Sequence, residues 1–216
     1  MLESEIYQTH TERLTLYCNA NFDSNKKITL PEGFVANKHL RRAGRVEWEH
    51  VVPAENFGRA FSEWREGHEK CENSKNQKYR GRRCANKIND EYRLMQADMY
   101  NLYPAIGAVN AMRSNFNFAL LSRQKSSFGA CEMKIASAQA EPPKAARGVI
   151  ARAYLYMDKT YPKYSMSRQQ RQLMNAWHRQ YPVSSWECAR AKRIAELQGN
   201  INPVLNESCA QAGYPH

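Results

Sequence analysis

The chain has no apolar run approaching the roughly 18 residues that a membrane span requires, so no membrane-spanning helix is expected. It has no HEXXH: His50 is followed by Val51, Val52 and Pro53, which removes that zinc-hydrolase arrangement. It has no GxSxG, so Ser-His-Asp catalysis lacks its usual local signature. No two cysteines are two or three residues apart, which excludes CxxC zinc and redox motifs. His68 with Cys71 and Cys84 would supply only three zinc ligands. Internal repeats and low-complexity linkers are also missing, and residues 1–216 read as one domain. The start, Met1-Leu2-Glu3-Ser4-Glu5, lacks the basic end and apolar core of a secretory leader.

Acidic residues are in short supply relative to basic ones. Thirty-two Lys and Arg stand against 21 Asp and Glu, giving a net charge of +11 and a pI near 9.5. Such an excess attracts polyanions, with nucleic acid the leading candidate and anionic membrane the second. Hydrophobic content of 42% speaks against disorder, and 216 residues can bury a real core. The six cysteines, Cys18, Cys71, Cys84, Cys131, Cys188 and Cys209, suit three disulfides in an oxidising compartment; six buried free thiols are the alternative. Fifteen pairings are open to six cysteines, so composition leaves the connectivity undecided.

The least core-like segment is residues 65–90, REGHEKCENSKNQKYRGRRCANKIND, polar, basic and bracketed by Cys71 and Cys84. From Lys75 to Lys87 it carries Lys75, Lys78, Arg80, Arg82, Arg83 and Lys87 with no acid among them. A solvated charged loop is the plain reading; a phosphate-contacting arm is the sharper one, favoured by the charge of the whole chain.

The C-terminal third reads as helix. Pro142 and Pro143 precede KAARGVIARAYLYM, with Val149, Ala153 and Tyr156 at helical spacing. Ser167 with Gln170, and Ser184 with Glu187, mark two further helix starts, and Gly199 marks a stop. Another helix is expected over residues 89–100 and a short one after Pro104. Strand signals are sparser, at RLTLYCNANF and GRVEWEHVV. The expected class is α+β, mostly helical, with a small sheet around the second of these.

GRVEWEHVV also carries chemistry. A carboxylate is a hard ligand for Mg²⁺ or Ca²⁺, and a neutral imidazole can take a proton from water near neutral pH. On an ideal strand Glu49 and His50 point to opposite faces, so they share a site only where the strand bends or ends, as it can before Pro53. Alone the pair is weak, since an exposed acid beside a hydrogen-bonded histidine is the commoner case. A second stretch, QADMYNLYPAIGAVNAMRSNFNF, residues 96–118, crowds Asn101, Asn110, Asn115 and Asn117 among apolar residues and Arg113. Asn101 and Asn115 suit cap or turn positions, whereas Asn110 falls past the helix start, where an amide oxygen can serve as a rigidly held cation ligand.

RVEWEHVVPA, GRRC, the pattern from ADMYNL to RSNFNF, ARG.IAR.YLYM, and QLMNAW through WEC to QGN.NP together closely resemble the endonuclease I family of bacterial periplasmic and secreted nucleases, from about Leu14 to Cys209. The resemblance implies a ββα-metal (His-Me finger) core in which a strand pair and a helix grip one divalent ion, Mg²⁺ with Ca²⁺ or Mn²⁺ as alternatives. It implies His50 as general base and Glu49 and Asn110 as metal ligands. It implies an arginine before the second loop cysteine steadying the phosphate, with Arg82 the first choice and Arg83 and Arg80 alternatives. Lys75, Lys78, Arg80, Arg83 and Arg113 are the expected further nucleic-acid contacts, and Cys18–Cys209, Cys71–Cys84 and Cys131–Cys188 the implied disulfides.

The implied activity is sequence-independent hydrolysis of single- and double-stranded DNA, and of RNA, to 5′-phosphate and 3′-hydroxyl ends, by a monomer in the periplasm or outside the cell. The competing expectation is a non-catalytic basic nucleic-acid-binding protein on the same fold. Departures from the family pattern are the lack of one cysteine pair, an apparent insertion at 72–80, Tyr100 where His is common, and Gln96, Ala108 and Met112 where acids are common.

Overall fold

A computed structural model describes residues 2–215. After a π-helical turn, Leu2–Ile6, come β1 (Asn21–Phe22), β2 (Ile28–Thr29), α1 (Leu40–Ala43) and β3 (Val46–His50). Four helices follow, α2 (Ala54–Gly58), α3 (Ser62–Arg65), α4 (Arg82–Ile88) and α5 (Asp90–Ala97), then a 3₁₀ turn at Met99–Asn101, β4 (Leu102–Ile106) and α6 (Gly107–Arg113). The remainder is β5 (Asn117–Phe118), β6 (Lys134–Ala136), β7 (Gln139–Glu141), α7 (Lys144–Thr160), α8 (Arg168–Gln180), α9 (Ser185–Gln198) and α10 (Pro203–Gln211). The expected α+β class, mostly helical with small sheets, is what the chain adopts.

The strand pair that carries the site is β3 against β4, antiparallel, with Glu49 opposite Tyr103 and His50 opposite Leu102. Pro104 sits in β4 without penalty because β4 has one strand neighbour and need not donate on its other edge. The pair ends at His50 because Asn101 captures the next residues. Its carbonyl accepts from Val51 N at 3.0 Å, and its side chain bonds both Val52 N (2.7 Å) and Val52 O (3.0 Å). Val51 and Val52 are wholly buried, and Pro53 then starts α2, so the chain turns from strand to helix directly after His50.

The helix starts read from the sequence agree with the structure. Pro143 precedes α7, Ser167 Oγ accepts from Gln170 N and Ser184 Oγ from Glu187 N, each at 3.1 Å, and Gly199 closes α9 at φ 79°. Buried Arg152 on α7 meets Glu187 on α9 through Nε at 2.8 Å and Nη2 at 2.6 Å, joining the two helices.

Three expectations are corrected. The helix over 89–100 stops at Ala97, because Asp98 turns its carboxylate inward to accept from Tyr100 N, Tyr156, Tyr161 and Gln198. RLTLYCNANF forms strand only at Asn21–Phe22. Asn19 adopts φ 50° and closes a turn in which Thr15 N donates to Ala20 O, which puts Tyr17 in a buried turn. The third concerns the disulfides: Cys71–Cys84 forms as expected, but the others are Cys18–Cys131 and Cys188–Cys209, with Cα separations of 5.0 and 5.8 Å. Since α9 and α10 are consecutive helices packed on each other, Cys188 meets Cys209 locally, and Cys18 is left to the distant Cys131.

Candidate active site

A cleft of about 310 Å³ opens at the end of β3, and Glu49, His50, Arg82 and Asn110 all line it. Residues about sixty positions apart in the chain therefore share one wall. Glu49 and His50 do so, despite strand alternation, because β3 ends at His50.

The half-buried His50 ring has its Nε2 2.8 Å from the Gln96 carbonyl oxygen. A carbonyl can only accept, so Nε2 carries the proton and Nδ1 keeps its lone pair. Burial pushes the imidazole down to about 4, aided by the nearby Arg82 and Arg113 charges and opposed by the Gln96 bond. At neutral pH the ring is therefore uncharged and can take up a proton through Nδ1.

Glu49 is almost completely enclosed, 2% exposed. Its Oε1 accepts from the Tyr17 hydroxyl at 2.7 Å and from Arg113 Nη1 at 2.8 Å, while Oε2 receives no hydrogen bond among the described residues. Burial pushes the Glu49 carboxyl up, and Arg113 and Tyr17 pull the other way.

Asn110 lies on α6, whose first residue, Gly107, lets the helix come close to β3. A Cβ at Gly107 would stand 2.5 Å from the Arg42 carbonyl oxygen and 2.8 Å from Glu47 Oε1. Asn110 Nδ2 donates to Glu47 Oε2 at 2.9 Å. A carboxylate can only accept, so this contact fixes the amide and leaves Oδ1 as its unengaged oxygen. Glu47 is held in turn by Arg42, whose Nε donates to Oε1 at 2.8 Å. Glu47 thus orients Asn110, with its charge already committed to Arg42.

The three loop arginines separate clearly. Arg82, the first residue of α4, lines the cleft and donates from Nε to Gln96 Oε1 at 3.1 Å. Arg83 stacks over the Tyr79 ring at 4.4 Å and lines a different groove with Lys75 and Lys87. Arg80 donates to the Arg65 carbonyl and lines another surface depression with Lys78. Lys75, Lys78, Arg80, Arg82 and Arg83 are all exposed.

Arg113 does not fit its expected role as a nucleic-acid contact. It is wholly buried, and its two terminal nitrogens are taken up by Glu49, the His50 carbonyl (2.8 Å), the Val51 carbonyl (2.6 Å) and the Tyr154 hydroxyl (3.4 Å), while Nε is buried without a partner among the described residues. Of the departures noted in the sequence, Gln96 sits at the site, holding both His50 and Arg82, whereas Tyr100 and Ala108 are core residues. Tyr17 and Asn101 also build the site, through Glu49 and Val52, and no local sequence signal marks Tyr17.

The sequence profile of the Endonuclease I family matches residues 2–209. The chain belongs to the endonuclease I family. It is 41% identical to an extracellular deoxyribonuclease of Aeromonas hydrophila over 95% of this chain and 85% of that one. It is 40% identical to a periplasmic deoxyribonuclease of the same organism, over 95% and 82%, and 36% identical to endonuclease-1 of Buchnera aphidicola subsp. Acyrthosiphon pisum, over 90% and 74%. Like its family, the protein is an endonuclease, and nucleases of this family generally use a divalent metal. No helix among the described residues is long and apolar enough to cross a membrane.

The donor set at the cleft suits such an ion. Among the described residues no group of three or more His, Cys, Asp and Glu side chains is gathered as for a closed protein cage. Glu49 Oε2 and Asn110 Oδ1 are instead two hard oxygens, without hydrogen bonds among the described residues, on the side chains that line one cleft, which fits a cation that keeps most of its water.

Proposed function

We propose that the cleft hydrolyses phosphodiester bonds of DNA, and of RNA, with His50 as general base, Arg82 as phosphate ligand, and Glu49 and Asn110 holding one divalent ion, Mg²⁺ in the first place. The observation that carries this reading is the His50 geometry. Its Nε2–H is pinned to the Gln96 carbonyl and its Nδ1 is unprotonated in a cleft it shares with Arg82, Glu49 and Asn110.

His50 Nδ1 takes the proton from the attacking water as the water oxygen bonds to phosphorus. The P–O3′ bond breaks and the leaving oxygen acquires a proton from solvent, giving a 5′-phosphate and a 3′-hydroxyl. Arg82 binds the nonbridging oxygens and steadies the charge that grows on them. A bound divalent ion would supply Lewis-acid stabilisation of the phosphate and leaving oxygen.

The exposed cations Lys75, Lys78, Arg80 and Arg83 meet phosphates, which carry no base information, so cleavage is sequence-independent. The 2′-hydroxyl takes no part in the step, which extends it to RNA. Three disulfides and the names of the relatives favour the periplasm or the exterior as the place of action, with the protein acting as a monomer.

Plasmid cleavage in EDTA, followed by Mg²⁺ addition and end-labelling of the products, tests the scheme. Loss in EDTA, recovery with Mg²⁺ and 5′-phosphate ends are expected. Undiminished activity in EDTA, or 3′-phosphate ends, would overturn it.

A further inference from the structure

The fold treats the two oxygens of the Glu49 carboxylate differently. Oε1 is taken by two enclosed donors, the Tyr17 hydroxyl at 2.7 Å and Arg113 Nη1 at 2.8 Å. Oε2 has no donor among the described residues and is not sealed from solvent, so it keeps contact with the cleft that Glu49 lines. We propose that Arg113 and Tyr17 are positioning residues that commit Oε1 to the protein interior and thereby present Oε2 to the divalent ion. This rests on the reading of Glu49 as a metal ligand.

Arg113 is placed to do more than neutralise a charge. Nη1 also donates to the His50 carbonyl at 2.8 Å and Nη2 to the Val51 carbonyl at 2.6 Å, so one guanidinium fixes the backbone of both the ion ligand and the base. The planar fork is needed because three acceptors on consecutive residues must be met at once, which an ammonium on a flexible stem cannot reproduce. The Phe118 ring lies beneath it, 4.6 Å from the guanidinium carbon, and closes that side to water.

Arg113 is three residues after Asn110 on α6, on the same side of the helix. A single helix therefore delivers one ion ligand directly and orients the other from behind. Tyr17 comes from the opposite direction, on the turn next to Cys18, which is tied to Cys131. The carboxylate is held between two segments distant in the chain and cannot rotate about its terminal bond without losing both contacts.

The test is Mn²⁺ binding to the whole 216-residue chain, followed by electron paramagnetic resonance, with no nucleic acid present. Tyr17→Phe removes one hydroxyl from a site it does not otherwise reshape. It is expected to weaken Mn²⁺ binding about tenfold, the usual scale for losing an orienting partner of a metal ligand, with native circular dichroism. Arg113→Lys is expected to weaken it further and to shift the His50 ring resonances, because the His50 carbonyl loses its donor.

An electrostatic role alone makes the opposite prediction for Tyr17→Phe, since removing a donor leaves more charge for the cation. Unchanged or tighter Mn²⁺ binding by a folded Tyr17→Phe protein overturns the proposal, whether or not Arg113→Lys folds. Glu49→Gln separates the two levels of the argument. Native Mn²⁺ affinity in that variant removes Glu49 as a ligand, and the positioning proposal with it.

Discussion

Asn110 Nδ2 donates to Glu47 Oε2 at 2.9 Å, a contact between α6 and β3 that settles which end of the amide faces the cleft. Burial pushes the Glu47 carboxyl up, but its bonds from Arg42 and Asn110 outweigh this and hold it below the ordinary carboxylate range, so it stays an acceptor at neutral pH. Glu47→Ala frees the amide to rotate. Nicking of supercoiled plasmid at saturating Mg²⁺ is expected to slow roughly 10- to 100-fold. A native rate would show that the contact does not orient Asn110.

The approach of α6 to β3 depends on Gly107, where a methyl group would meet the Arg42 carbonyl oxygen at 2.5 Å. That atom is backbone and cannot move aside cheaply. Gly107→Ala is expected to lose about 1–3 kcal/mol in urea unfolding and to lower activity by displacing Asn110. Native stability would mean that the helix shifts freely and that its placement is not set by this contact.

Titration of His50 in the metal-free protein gives a pH signature. Its ring is held near 4 in the folded chain, against an ordinary value of 6.5. Between these values the unfolded chain binds more protons, so the contribution is fully present above pH 6.5 and is lost as pH falls toward 4. The loss amounts to roughly 3 kcal/mol. Nuclear magnetic resonance of the imidazole should show a midpoint near pH 4, with protonation at Nε2 throughout. A midpoint near 6.5 would contradict the half-buried, singly protonated ring.

The disulfide pattern is open to direct mapping. Proteolysis without reduction should release peptides joining Cys18 to Cys131 and Cys188 to Cys209. Loop closure makes the first more stabilising than Cys71–Cys84, with sequence separations of 113 and 13 residues corresponding to about 5 and about 3 kcal/mol. Paired Cys→Ser variants should lose stability in that order; the reverse order would point to enthalpic control.

Much of the site could be read from residue chemistry and the family resemblance. Glu49, His50, Arg82 and Asn110 line one cleft, and the first two share it because the strand ends before Pro53, a stop that the proline itself signals in the sequence. Arg113 shows where such reading stops. An arginine among asparagines in a strongly basic chain looks like a phosphate contact, and only the fold reveals that its partners are Glu49 and two carbonyls sixty residues earlier. Tyr17 and Asn101 are likewise ordinary residues whose contribution exists only after β3, β4 and the N-terminal turn have come together. Asp98 ended a helix early for the same reason, because Tyr156, Tyr161 and Gln198 from distant segments drew its carboxylate inward. Disulfide connectivity belongs to this class too, since helix packing decided that Cys188 would meet Cys209.

The central claim is that His50 Nδ1 takes the proton from the attacking water. Single-turnover nicking of supercoiled plasmid by His50→Ala, at saturating Mg²⁺ and with DNA binding and circular dichroism measured on the same preparation, tests it most directly. A fall of about 10²–10⁴-fold in the cleavage rate, with binding and fold retained, is the predicted result. Cleavage at the native rate by a folded His50→Ala protein would contradict it.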